Sequence, residues 1–352
     1  MRYLLAVTLL LSAVAVVMNW SSIRAIVTEP PVEAAGGESM RTTGGNRDFR
    51  EFFFGSEGDD RSFLDQFDTE NLAIPQSEIL RGGPPKDGIP AITKPRVVEV
   101  NDAEFLDPDD RVVGLEIDGA TRAYPIRLLN RHEIINDEVE SVPLAIVFCP
   151  LCDSVSVVVR RIDGQMLEFG VSGLLHNSNV ILYDRTDDAL WSQIGFRAIS
   201  GPHAGRALDH LPFELTTFKR WVAKHPDSTV VTVESAYRRN YDDNPYDRYL
   251  KSDDLMFPAS GGDDARLGRK EPVVGIQMDG FERAYPVQAI ANAPGGRIED
   301  RIGDERIAIE ALDDGRHVSV VEVPEDALVV HTFWFAWASF HPQTTIFELR
   351  PQ

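Results

Sequence analysis

Residues 112–129 read VVGLEIDGATRAYPIRLL, and residues 273–290 read VVGIQMDGFERAYPVQAI. Each stretch sets alternating apolar residues on either side of an Asp-Gly pair, Asp118-Gly119 and Asp279-Gly280. Asp-Gly between such runs predicts a β-hairpin, because the turn needs residues that tolerate positive φ. The Ala-Tyr-Pro that follows ends the second strand, and a short helix can begin after the proline.

Working outward, a second echo follows each stretch. Trp221 opens Trp-x-x-x-His-Pro ahead of Thr229, Val231 and Val233, and Trp337 opens Trp-x-x-x-His-Pro ahead of Thr345, Ile346 and Phe347. Two echoes in the same order argue for a duplicated unit, at residues 95–234 and 271–350, whose copies pack as related half-domains rather than as a solenoid. The expected fold class is α+β, largely antiparallel β with short helices, in two unequal internally duplicated halves. Residues 48–236 form the first half, 237–268 a connecting surface loop and 269–352 the second, shorter half.

Both cysteines of the chain, Cys149 and Cys152, lie in the first half, in the turn Cys-Pro-Leu-Cys. Residues 144–148 read as a strand before it, and Val155, Val157 and Val159 alternate after it. Asp163-Gly164 predicts another hairpin turn, with residues 166–171 returning as a strand. Helix is expected over 126–139 and over 218–224, the latter capped by Thr216 or Thr217.

Composition excludes several classes. Of 352 residues, 56 are Asp or Glu and 35 are Lys or Arg, for a formal charge of -21. Such a surface repels phosphate backbones, so no nucleic-acid partner is expected. Two cysteines three positions apart are no disulfide framework, so core burial must hold the fold. Neither a Gly-x-Gly-x-x-Gly or phosphate loop nor a Gly-x-Ser-x-Gly elbow occurs, and no motif names a substrate, a protein partner or a reaction.

Arg2 precedes an apolar run from Leu4 to Met18, ended by Trp20 and two serines. Residues 1–25 therefore read as a signal peptide or as an N-terminal membrane anchor. Residues 26–47, rich in Pro, Gly, Ala and Thr, read as a flexible linker. Either route places the body outside the cytoplasm, with any membrane contact made through the N-terminal segment.

The cysteine turn supports three chemistries. A dithiol exchanger needs two sulfurs close enough to bridge, with Cys149 attacking and Cys152 resolving. The strand expected after the turn denies Cys149 the helix dipole that lowers a thiol pKa in thioredoxin-type sites. A metal knuckle would set both thiolates on one Zn or Cu ion, with His132 as the adjacent imidazole and His176 as a more distant one. A structural pair, in a non-enzymatic surface or interaction protein, needs no partner at all. Glu133, Asn136, Tyr183, Asp184, Trp191 and Gln193 are candidate walls of a pocket around the turn. His203 and His210 read as surface residues, and the Gly- and Pro-rich stretch 82–90 as a rigid loop that walls a pocket or braces the surface.

The segments GGPPKDGIPAI from Gly82, RAYPIRLLNRHEIIND from Arg122, FCPLCDS from Phe148, FGVSGLL from Phe169, LYDR from Leu182 and LWSQ from Leu190 occur in that order. Together they resemble the proteins grouped as domain of unknown function 3179. The resemblance implies a shared fold and carries no activity. It places His132 and both cysteines within the family pattern and leaves His176 outside it. That pattern often has Gly after the second cysteine, where this chain has Asp153.

Overall fold

The structure is a computed structural model that describes residues 61–233, 241–278, 280–312 and 317–349. The N-terminal apolar run and residues 26–47 lie outside them. No helix among the described residues is long and apolar enough to cross a membrane.

The described residues are mostly β, in several antiparallel or mixed sheets with short helices. The largest sheet orders eight strands: Ile92–Thr93, Ile134–Val139, Val142–Cys149, Ser154–Val159, Leu328–Phe333, Pro272–Met278, Phe281–Pro286 and Thr345–Ile346. A single register pair, Val155 with His331, joins Ser154–Val159 to Leu328–Phe333. The cysteine turn lies at one end of that seam, where the Cys152 carbonyl accepts from Phe333 N at 2.8 Å and Thr332 Oγ1 at 3.1 Å.

Both predicted strand pairs form, and Asp279 itself lies outside the described residues. Arg111–Ile117 pairs antiparallel with Ala120–Pro125, and Pro272–Met278 with Phe281–Pro286. Asp118 and Gly119 both take positive φ, at 49° and 85°, as a two-residue type I′ turn requires. The glycine of each Val-Val-Gly has a packing reason. A Cβ on Gly114 would lie 2.1 Å from the Trp221 ring, and one on Gly275 would lie 2.2 Å from the Trp337 ring.

The Arg-Ala-Tyr segments are used alike. Arg122 and Tyr124 bond one oxygen of Asp137, at 2.7 and 2.8 Å, and Arg283 and Tyr285 bond one oxygen of Asp300, at 2.6 and 2.9 Å. After each hairpin a helix follows, Ile126–His132 and Val287–Ala291. Trp221 lies on the helix Phe218–Lys224 and Trp337 on the helix Trp334–Phe340; Trp337 stacks on His341, and Trp221 meets His225 at a tilt.

Three local expectations are corrected. The helix expected over 126–139 stops at His132, and Ile134–Val139 is a strand. Glu133 takes φ +58° between them, a conformation that breaks an α-helix, and the strand that follows is buried except at Glu138. The helix Phe218–Lys224 starts at Thr217 without a side-chain cap. The connecting stretch is no free surface loop, because Tyr249 and Phe257 are buried in the same apolar cluster as both cysteines.

Candidate functional site

The strand Val142–Cys149 is apolar and buried on both faces, so Cys149 enters the turn from the middle of the molecule. Cys152 N returns to the Cys149 carbonyl at 3.2 Å, and Cys149 faces Ser154 across the restarted ladder. Asp153 closes the turn at φ +48°. That left-handed region favours Gly, and Asp is among the few side chains that tolerate it. The Asp153 carboxylate is then held by Arg111 at 2.8 Å.

Both thiols aim at one acceptor. Cys149 Sγ lies 3.7 Å and Cys152 Sγ 3.3 Å from the Ser178 carbonyl oxygen. That oxygen is presented by the tight turn Asn177-Ser178, both residues at positive φ, between the strands Phe169–His176 and Asn179–Asp184. Asn179 Nδ2 adds a donor 3.7 Å from Cys152 Sγ and is itself positioned by Gln193, which also accepts from Ser154 Oγ at 2.8 Å. Both cysteines are free thiols with no exposed surface. Burial, then the neighbouring Cys149, push the Cys152 thiol well above its ordinary range, because a thiolate there would be neither solvated nor paired with a cation.

Residues 241–268 cover the turn. The Tyr249 hydroxyl donates to the Leu151 carbonyl at 3.0 Å, and Ser178 Oγ donates to the Phe257 carbonyl at 2.8 Å. Lys270 Nζ sits 3.4 Å from the centroid of the Tyr249 ring and bonds the Tyr249 and Ser252 carbonyls. Burial of that amine brings its pKa down to about 8. Tyr246, in the same segment, is close enough to Glu133 and Cys149 that their negative forms add to burial in raising its phenol pKa.

His132 does not join the sulfurs. Its Nδ1–H donates to the Pro90 carbonyl at 2.7 Å, which leaves Nε2 to accept from the Tyr241 hydroxyl at 2.8 Å. The imidazole thus ties the 82–90 stretch and the covering segment to the end of its helix. Among the described residues no group of three or more His, Cys, Asp and Glu side chains could hold a metal ion. The set Cys149, Cys152 and His132, expected as a metal centre, is therefore not assembled. His176 meets Glu78 at 3.1 Å instead.

The expected pocket walls separate into different networks. Of these walls, Gln193 reaches the cysteine turn, accepting from both Asn179 and Ser154. Asn136 clamps the backbone of Phe169 through both ends of its amide. Tyr183 and Arg185 hold Asp87, and the 82–90 stretch braces the strand Phe169–His176 through Gly82 N and Asp87 N. Asp184 accepts from Trp191 Nε1 at 2.8 Å, and burial pushes its carboxyl up to about 6. Glu133 is buried beside the turn, its carbonyl bonded to Phe148 N. Among the described residues none hydrogen-bonds its carboxyl, and burial pushes that group up to about 8. Sequence reasoning did not find Ser178, Asn179, Tyr246 or Tyr249. Only their arrival from other strands and from the covering segment makes them neighbours of the thiols.

A family model described as protein of unknown function, DUF3179, matches residues 86–329. The chain belongs to this family. The DUF3179 match spans the cysteine turn, the Ser178 carbonyl and the covering segment together. No curated protein and no solved structure matches this DUF3179 chain.

Proposed function

We propose that this chain is an exported or membrane-tethered protein whose Cys149 and Cys152 form a covered dithiol–disulfide centre. The convergence of both sulfurs on the Ser178 carbonyl carries this reading, since it holds them side by side within one tight turn. The engagement of His132 elsewhere favours it over a zinc centre, which needs four ligands.

In the step proposed, Cys149 as thiolate attacks one sulfur of an oxidising disulfide and releases one thiol. Cys152 then attacks the Cys149 sulfur of the mixed disulfide, forming the Cys149–Cys152 bond and releasing the second thiol. Two electrons pass to the oxidant, and the two cysteine protons end on the two thiols released. Burial slows this exchange while residues 241–268 lie over the turn, because the attacking species is the thiolate. The duplicated-half reading belongs to the same proposal. The like use of Gly114 and Gly275 and of Asp137 and Asp300 supports two related units, of which the first carries the thiols.

The test is thiol counting in glutathione buffers of graded potential, with zinc and copper analysis of wild type and of the Cys149→Ser, Cys152→Ser double variant. A reversible two-thiol transition within the range of cellular disulfide exchangers supports the proposal. Thiols that never oxidise, or a disulfide that no glutathione buffer reduces, leave a structural pair in a non-enzymatic protein. One copper ion per wild-type chain, lost in the double variant, replaces redox exchange with soft-metal binding by two thiolates.

A further inference from the structure

On the far side of Asp153 lies a cleft of about 950 Å³, within the size range of small-molecule sites. Its polar lining includes Arg111, Lys219, Arg220, His317 and His331, with Asp109 and Asp153 as carboxylates. This basic concentration runs against the grain of a chain with a formal charge of -21. Leu215, Val273 and Val287 supply apolar wall beside it.

Two lining groups carry unused hydrogen-bonding capacity. The Nε of Arg111 is buried with no hydrogen-bond partner, although its Nη1 holds Asp153 at 2.8 Å. His331 is 9% exposed, and among the described residues none hydrogen-bonds its imidazole. Burial, then the charges of Arg111 and His317, lower its pKa to about 4. A buried donor without an acceptor is costly, and an oxyanion would satisfy the Arg111 Nε and accept from the His331 imidazole while offsetting the local positive charge.

We propose that this cleft binds a small organic oxyanion, its charged oxygens held by Arg111 and His331 and its apolar part against Leu215, Val273 and Val287. Asp153 is the internal competitor for Arg111, so the ligand must loosen that ion pair to bind. The proposal stands independently of the dithiol reading.

The test is calorimetric titration of the full chain with phenyl phosphate, benzoate and inorganic phosphate. Phenyl phosphate or benzoate should bind, and whichever binds tighter identifies the oxyanion as phosphate or carboxylate. Arg111→Gln should weaken binding at least about tenfold, and Asp153→Asn, which removes the competitor, should tighten it. Two independent variants with opposite expected signs keep the outcome readable if one of them fails to fold. Absence of heat from both aromatic probes in wild type and in Asp153→Asn would overturn the proposal. Unchanged affinity in folded Arg111→Gln would overturn it as well. Inorganic phosphate binding as tightly as phenyl phosphate would overturn the assignment of the apolar wall.

Discussion

Tyr249 fastens the covering segment to Leu151, the residue between Pro150 and Cys152, through a 3.0 Å hydrogen bond. Access to the thiols is thereby linked to the release of one phenol. A hydrogen bond of this kind contributes about 1 kcal/mol net. Tyr249→Phe should open the segment about fivefold more often, and Ellman's reagent should react with the native protein about fivefold faster. An unchanged rate would mean that reagent reaches the sulfurs by another route.

Asp153 holds a left-handed conformation and an ion pair with Arg111 at once. Asp153→Gly loses the pair and gains the backbone freedom, so the two effects oppose. Asp153→Ala loses the pair and keeps the strain. Urea denaturation should find the alanine variant less stable than the glycine variant by about 1 kcal/mol. Equal stabilities would show that the turn relaxes away from positive φ.

Gly114 and Gly275 each touch a tryptophan face that leaves no space for a methyl group. Gly114→Ala and Gly275→Ala should each cost about 3 kcal/mol, at the high end of overpacking penalties. Thermal unfolding measures both. A loss below about 0.5 kcal/mol would mean the tryptophan helices shift freely.

Glu133 and His331 pull stability in opposite directions with pH. The Glu133 carboxyl rises from 4.5 to about 8 on folding, so the folded state keeps a proton that the unfolded state has already lost. Its contribution becomes unfavourable as pH climbs from about 4.5 to 8, by a few kcal/mol at ~1.4 kcal/mol per unit. Glu133→Gln should flatten that decline in chemical denaturation curves.

His331 falls from 6.5 to about 4, so the unfolded state takes the proton first and stability drops as pH falls from 6.5 towards 4. It lines one cleft with Arg111, Asp153, Asp109, Lys219, Arg220 and His317 and a second with Glu116, Glu214, Lys224 and His225. His331→Gln should remove this part of the acid loss, as denaturation midpoints across that interval will show. An acid branch identical to wild type would place the titration elsewhere.

The chain order of Asp118-Gly119, Arg-Ala-Tyr-Pro and Cys-Pro-Leu-Cys was enough to predict hairpins, a mostly β fold and a two-sulfur turn. These are local matters, settled by φ preference and by period-two burial within a few residues. The break at Glu133 escaped the same logic, because the residue takes a backbone state that its composition does not announce.

What surrounds the sulfurs was decided by tertiary structure alone. The Ser178 carbonyl, the Tyr249 phenol and the Thr332 hydroxyl come from segments tens to well over a hundred residues away. His132, close to the turn in sequence, spends its imidazole on Pro90 and Tyr241. Sequence proximity sets which groups can meet cheaply, whereas sheet register and the path of the covering segment set which groups do.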